Sequence, residues 1–540
     1  MRSFIVLGLF LLPLFISAQQ FDSVRAISIK LKDDIFNPFP SPIIVNPRLA
    51  SDRFNSVYYS GQFKDTLRVL NSNDIVSSGN YDGYLIKFRK NLNVEWIKTI
   101  TGDYDQHIGD IAVDLNGNVF ITGTFEGDTH IDEITFFGGG AFVAKYDSAG
   151  TLLWAKKLGG AQDIYPNRIL TMNNGDLVIA GSLYSSIDFG CTVLSNSSVP
   201  TKFLARYNSN GDCIMAKSFE VSYLFDMASD GQHNIVITGG FLNTATFGTI
   251  NIQANWQDIY VAKSDKDGNW LWAKKIGGEE EDQGLGVSID PLGNIILTGF
   301  FEKTVSFGDT TLTSSGESDI FIASFNALGT LNWVRQAGGG EGNQYGFAVD
   351  TDSEGNIIIT GSIIDVTHFG NFTIDPQGEA SYVAMYNKQG ICQWATGVTG
   401  SGSRGVDLNS GEGVIFLAGE SYGSNSILDF GQSFINVQYP DTYLARMRYI
   451  DVITGTESGL DLNKIKIKIF PNPFTDRIVI ELPDNGPTQI RIRNSTGNVV
   501  LSSQITSHHT EIPMHNSSSG LYFLEIEQNG KRDIKKLIRQ

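Results

Sequence analysis

A short apolar phrase ending in glycine recurs along this chain in one register, and that repetition constrains the fold more than any other feature. It reads Val76-Ser77-Ser78-Gly79, Ile121-Thr122-Gly123, Ile179-Ala180-Gly181, Ile237-Thr238-Gly239, Leu297-Thr298-Gly299, Ile359-Thr360-Gly361 and Leu417-Ala418-Gly419. The glycines are 44, 58, 58, 60, 62 and 58 residues apart. A second marker keeps the same register: Trp96, Trp154, Trp272, Trp333 and Trp394 follow a glycine-bearing turn, with Met215 in that place in the third unit. Units of this length cannot each bury an apolar face alone, so they must stack on one another.

The fifth unit shows what each contains. Gly286 to Asp290 is a short strand, Pro291 to Asn294 a turn, and Ile295 to Phe301 a largely apolar strand. Ser306-Phe307-Gly308-Asp309 opens a polar excursion, Asp319 to Asn326 alternates as a third strand, and Leu331 to Arg335 makes a fourth. Four turn-bounded strands repeated at this spacing predict an all-β, seven-bladed β-propeller. Closing the units into a ring also removes the exposed edges of an open stack. Phe-Gly marks the excursion in units three to seven (Phe189, Phe247, Phe307, Phe369, Phe430), and its absence from unit one accounts for the 44-residue spacing. The recurring glycines (Gly123, Gly181, Gly239, Gly299, Gly361, Gly419) and the five tryptophans are expected to be structural, the rings filling gaps between blades.

The pattern resembles the bacterial β-propeller repeat of many secreted proteins. Asp114, Gly117, Asn118, Thr122, Gly123, Gly150 and Trp154 carry the resemblance, as do Asp290, Gly293, Asn294, Thr298, Gly299, Gly329 and Trp333. It covers roughly residues 67 to 448, with units one, three and seven degenerate. It implies a fold and no activity, because propellers host binding modules and enzymes alike.

The termini address the chain. Arg2, an apolar run from Phe4 to Ile16 and Ser17-Ala18 form a signal peptide with cleavage after Ala18, too short to span a bilayer. The expected divisions are 1–18 signal peptide, 19–448 propeller, 449–463 linker and 464–540 C-terminal module. In the last, Ile465 to Phe470, Arg477 to Leu482, Thr488 to Arg493, Val499 to Ile505 and Leu521 to Glu527 predict a small β-sandwich. Lys464 to Gln540 holds 11 basic and 7 acidic residues, net +4; the whole chain is −18, so the rest carries −22. That acidity argues against nucleic acid as a partner. The module resembles the type A C-terminal sorting domain of type IX secretion cargo. The resemblance rests on Pro471, Asn472, Pro473 and Phe474 before a strand, Asn494 to Gly497, Gly520 to Phe523 with Gly520 and Tyr522, and the terminal Lys535, Lys536 and Arg539. It implies an outer-membrane translocon as partner, with removal of the module and attachment to surface lipopolysaccharide as the usual sequel.

No catalytic, metal or cofactor constellation emerges. The seven histidines form no metal-ligand pair, and Asp350 to Gly355 starts like a calcium loop but has Gly361 where a bidentate Glu is required. Its register is that of the other hairpin turns, so turn chemistry explains it. Glu279 to Asp282 reads as a solvated link between units, and the histidines as solvated surface. Of the three cysteines, Cys191 could approach only Cys213. Trp256 and Trp270 stand outside the repeated position and are freer to meet a ligand. The leading expectation is a secreted or surface-attached binding protein for a glycan or protein. The rivals are a propeller enzyme acting on extracellular polysaccharide and a passive surface component. Unit seven lacks its own fourth strand, so either Val24 to Leu31 or Ser56 to Phe63 is expected to supply it and latch the ring.

Overall fold

The computed structural model describes residues 21–32, 47–449 and 468–539, less short internal stretches (70–71, 161–162, 197–200, 377, 399–401, 412, 422–425, 431–433, 438–440, 471–475, 483–486, 495–498, 508, 515–519 and 529–530). The signal peptide, the linker beyond Tyr449 and the Pro471–Phe474 motif lie outside the described residues. Strands and their turns make up what is described, with no helix among them. Two compact units separate, Ser23–Arg448 and the C-terminal segment from Tyr449.

Ser23–Arg448 contains seven four-stranded antiparallel units. Their first strands are Arg48–Ser51, Gln106–Val113, Ile164–Thr171, Asp226–Ser229, Asp282–Ile289, Gln344–Thr351 and Ser403–Gly411. Unit five continues through Ile295–Ser306, Thr311–Phe325 and Leu331–Ala337. Each first strand touches the next in order, and that of unit seven touches that of unit one.

The structure corrects the register of unit one. Val57–Phe63 pairs with Asp82–Phe88 as second strand to third, in the way that Val119–Phe125 pairs with Gly140–Tyr146. Gly61, not Gly79, is therefore the counterpart of Gly123, and the spacing becomes 62 residues, in line with the rest. Gly79 lies in the excursion, its Cβ position blocked by the Gly102 carbonyl as that of Gly316 is by Gly340. Unit one thus has an excursion after all, holding the short strands Thr66–Val69 and Ile75–Val76. The first unit opens at Arg48–Ser51, upstream of the 67–448 span that carries the resemblance.

The repeated residues have local causes. In units two, three, five, six and seven the first strand carries a β-bulge, for example between Gly284 and Gly286. The second strand presses against it so closely that a Cβ on Gly299 would stand 1.9 Å from the Gln283 carbonyl oxygen. Gly123, Gly181, Gly239 and Gly361 meet the same obstacle at 1.9 to 2.2 Å, so only glycine fits. The preceding threonine is buried, and its hydroxyl donates to a third-strand carbonyl: Thr122 to Phe142 at 2.8 Å, Thr298 to Phe321 at 2.9 Å. Each Asp-x-x-Gly-Asn turn is closed by its aspartate; Asp290 Oδ1 accepts the amides of Leu292 and Asn294 at 2.9 and 2.8 Å. Asp352 does the same for Glu354 and Asn356, so the calcium-like segment is a turn whose carboxylate already has partners.

The excursions form hairpins that reach the neighbouring unit's outer edge. Thr129–Ile131 of unit two pairs with Val94–Gly102 of unit one, Phe247's strand in unit four meets Glu220 of unit three, and Ser306 of unit five pairs with Gly277 of unit four. Such pairing covers edges that would otherwise invite another chain. At the last unit the N-terminal strand Phe21–Lys32 lies next to Thr442–Tyr449, on the outer edge of the unit. Its far end pairs with the unit-one excursion, Ile29 opposite Val69. Ser56 to Phe63, the other candidate latch, is instead the second strand of unit one. Ile27 and Ile29 share one core with Leu49, Tyr59, Phe416 and Leu444, so units one and seven are buried together.

Cys191 and Cys213 are joined as a disulfide, Cα atoms 5.3 Å apart, fastening the unit-three excursion to its fourth strand; Cys392 is free. In the C-terminal segment two antiparallel sheets, three- and four-stranded, enclose one core of Ile478, Ile480, Ile490, Ile512, Leu524 and Leu537. Gly520 and Lys535 with Lys536 lie on the paired strands Gly520–Gln528 and Lys531–Arg539, and Tyr522 is in the core.

Candidate functional site

Because the first strands follow one another in a closed succession, residues at one register position converge. Immediately after the bulge the position is filled by Arg48, Asp110, Arg168, Asp226, Gly286, Ala348 and Asp407, each opposite the residue before the conserved glycine, or its equivalent, in the second strand. This waist therefore alternates in charge through its first four members. Arg168 lies 3.5 Å from Asp226. Loss of hydration and the charge of Arg48 hold its pKa below the ordinary guanidinium value. Three waist carboxylates also accept an amide from an adjacent unit: Asp110 from Ile169 at 2.9 Å, Asp226 from Val287 at 2.8 Å, and Asp407 from Leu49 at 3.0 Å. Burial pushes the Asp407 carboxyl up to about 7. Their chief work is to join units.

One register step towards the end of the molecule that carries the fourth-to-first and second-to-third links, the repeat breaks down. His107, Tyr165, Tyr223, Gln283, Tyr345 and Arg404 occupy equivalent places before the bulge. Between unit three and unit seven, rings gather at three of these places. Tyr165 meets Tyr184 edge-on at 5.5 Å, Tyr223 stacks on Phe225 at 5.8 Å, and Tyr345 contacts Phe300 at 4.9 Å and Phe347 at 5.7 Å. Arg404 lies over Phe347, 6.0 Å from the ring centre, its guanidinium held by Glu420 at 2.9 Å. Carboxylates stand beside the rings. Glu281 accepts from Gln257 and Gln283, Glu317 from Asn343 at 2.7 Å, and Glu379 from Ser362 at 2.8 Å. Glu302 is held above the usual carboxylate range by partial burial and by Glu281, Glu280 and Glu317. Glu279 to Asp282 is thus no simple solvated link: Asp282 is fully buried and Glu281 is a hydrogen-bond hub. His107 is not solvated surface either; its Nδ1 is 2.8 Å from Gln62 Oε1, and burial lowers its pKa to about 4.

The tryptophans lie elsewhere. Trp96, Trp154, Trp272 and Trp333 each donate Nε1–H to a turn carbonyl of the following unit (Ser148, Ser209, Ala327 and Lys388) at 3.1 to 3.3 Å. Their rings sit beneath the turn glycines Gly150, Gly211, Gly329 and Gly390. Trp394 is buried. Trp270 packs on Phe219 and Phe247, whereas Trp256 is 60% exposed. The described residues contain no group of three metal-ligating side chains. These pre-bulge residues escaped the sequence reading, although they depart from the repeat at one constant position.

Residues 468–540 match the family described as the secretion system C-terminal sorting domain. The C-terminal module is a type IX sorting domain. The repeat region matches distant relatives. A 166-residue stretch is 29% identical to an uncharacterized WD repeat-containing protein of Acanthamoeba polyphaga mimivirus, covering 24% of this chain and 12% of that protein. Among solved structures, the Dos1 propeller aligns with a TM-score of 0.36 at 9% identity, over 74% of this chain and 92% of that one. A gluconolactonase from Xanthomonas campestris gives 0.28 at 11% over 62% and 91%, and puromycin hydrolase 0.40 at 9% over 81% and 58%. The likeness is to propeller-like all-β folds at large, and no residue role is carried over from these proteins. The protein is an all-β protein with a sorting domain for export to the cell exterior.

Proposed function

We propose that the chain is a seven-bladed β-propeller followed by a β-sandwich sorting domain, and that it works outside the cell as a binding protein. The closed succession of first strands and the shared core of units one and seven support seven blades. In this reading a signal peptide directs the chain out of the cytoplasm. The type IX machinery engages the C-terminal module through Pro471–Phe474 and the Lys535-Lys536 tail, and surface lipopolysaccharide retains the product. The ligand, a glycan or a protein, seats on the end carrying Tyr165, Tyr223 and Tyr345.

One observation carries the binding role: the positions at which the units stop resembling one another meet at one end of the ring. Structural residues keep the register, while Tyr165, Tyr223, Gln283, Tyr345 and Arg404 depart from it together and line one surface. Screening the secreted full-length protein on glycan and protein arrays tests this. Capture of a partner by the parent and loss of it in Tyr165→Ala/Tyr223→Ala/Tyr345→Ala is expected; capture that the triple change leaves intact would refute this location. The enzymatic reading draws on Glu302, whose raised carboxyl beside Glu281 and Glu317 is the environment that paired acid/base work uses. A parallel polysaccharide turnover screen, with Glu302→Gln as control, decides between the two.

A further inference from the structure

The two ends of the seven-unit body differ in kind. Among the described residues, six of seven exposed aromatic side chains (Tyr104, Phe137, Tyr165, Tyr184, Tyr223, Trp256) lie in or beside fourth-to-first or second-to-third links; Phe54 alone is at the other end. So one-sided a distribution of exposed rings marks that end as the candidate interaction surface. On the same end stand Glu279, Glu280, Glu281, Glu302, Glu317 and Glu341, from the links of units four to six. Of the cations on that end, Lys303 pairs with Glu280 and Arg404 with Glu420, while Lys202 donates to Ser182 Oγ at 2.8 Å, Lys157 to the Phe137 carbonyl, and Lys64 lies over the Tyr81 ring. That end combines exposed rings and aliphatic side chains, among them Leu242, Ile364 and Val366, with a preponderance of carboxylates.

We infer that this end docks a basic, lysine- or arginine-bearing polypeptide segment of another extracellular protein. The inference rests on the reading that this end is the binding end, and adds the partner's chemistry. Ring faces attract cations through their quadrupole, by about 0.5 to 2 kcal/mol each depending on desolvation. Carboxylates offer acceptors only, so a cation donates to them and offsets their mutual repulsion, while a neutral sugar leaves that repulsion in place. The rings and carboxylates spread over units two to six, a span that suits a chain segment better than a single small amine. The negative charge repels nucleic acid and anionic lipid.

Labelled nonalysine and nonaarginine, titrated against the full-length protein, test the inference, with thermal melting run on every variant to verify folding. Glu281→Gln/Glu302→Gln/Glu317→Gln is expected to weaken peptide binding about tenfold, equivalent to about 1.4 kcal/mol. Tyr165→Ala/Tyr223→Ala, which leaves net charge unchanged, is expected to weaken it about threefold, and it keeps the test decisive should the Glu variant fold poorly. Asp212→Asn/Asp267→Asn/Glu354→Gln removes the same charge from turns at the opposite end and is expected to change binding less than twofold. Equal losses in both charge variants would reduce the effect to net charge and overturn the inference. So would binding that the Tyr variant leaves untouched, or an absence of binding by either peptide. Capture of a neutral oligosaccharide, abolished by Tyr165→Ala/Tyr223→Ala, would overturn the cationic partner while the binding end stands. If no probe is sensitive to any change at this end, both fall.

Discussion

The backbone amide of Leu49 donates to Oδ2 of Asp407 at 3.0 Å, joining residues 358 positions apart. The same bond, from the amide after a waist position to a waist aspartate, joins Ile169 to Asp110 and Val287 to Asp226. The junction of units seven and one is thus built like internal junctions. Ser51 Oγ, which donates to Asn409 Oδ1, reinforces it.

That bond places a carboxyl where its charge is poorly hydrated, and a pH dependence follows. Asp407 is pushed up to about 7 and Asp350 to about 6, in both chiefly by burial, which outweighs Arg48 and the Leu49 amide for the former and Ser410 for the latter. In the unfolded chain both titrate near 3.9. The folded form therefore keeps protons that the unfolded chain releases. This stabilisation is complete below about pH 4 and is lost as pH rises through 6 to 7. His107, lowered to about 4, acts in the opposite sense below its unfolded value of about 6.5. Comparing melting temperatures of the parent and Asp407→Asn from pH 5 to 8 isolates the carboxyl. The parent's curve is expected to fall more steeply with pH than the variant's, and parallel curves would disprove the assignment.

Close approach at the bulge predicts a contrast between glycines. Gly299→Ala sets a methyl 1.9 Å from a backbone oxygen that side-chain rotation cannot relieve. A loss of about 3 kcal/mol is expected, within the range for overpacked sites. Gly231 has open space at its Cβ position, and Gly231→Ala should stay within about 0.5 kcal/mol. Urea unfolding midpoints of the two variants provide the check.

The tryptophans divide likewise. Trp272 inserts beneath Gly329 and donates to Ala327 of the following unit at 3.3 Å, so Trp272→Ala is expected to cost about 3 kcal/mol. Trp256 is 60% exposed, and Trp256→Ala should cost under about 0.5 kcal/mol. The same unfolding measurement, read beside peptide binding, separates packing from recognition.

Much of the scaffold is written locally and so was legible. Thr298-Gly299, the turn at Asp290 and Trp272 each answer to a neighbour at a fixed offset, and fixed offsets recur as a period. Unit one was misread because Tyr59-Ser60-Gly61 replaces the aliphatic-Thr-Gly wording, while Val76 to Gly79 imitates it within an excursion. The N-terminal strand alternates as a strand should, but its neighbour Thr442–Tyr449 lies over 400 residues away, and counting strands could narrow the latch only to two segments. Tyr165, Tyr223 and Tyr345 were visible as departures from the repeat. That they stand at the same end as Glu281 and Glu317 depends on the succession of first strands and on which end each link emerges from, and no single unit contains that information.

The central claim is that seven units form one ring whose last sheet is completed by the N-terminal strand, and amide hydrogen exchange tests it most directly. In the parent, the backbone of Thr442–Tyr449 should be protected along both edges, together with Thr66–Val69. Removing residues 21 to 32 should abolish protection in both segments and lower it in Val57–Phe63 and Val414–Ser421, which share the core around Ile27 and Ile29. Unchanged protection of Thr442–Tyr449 in the truncated chain would contradict the latch and the closed ring with it.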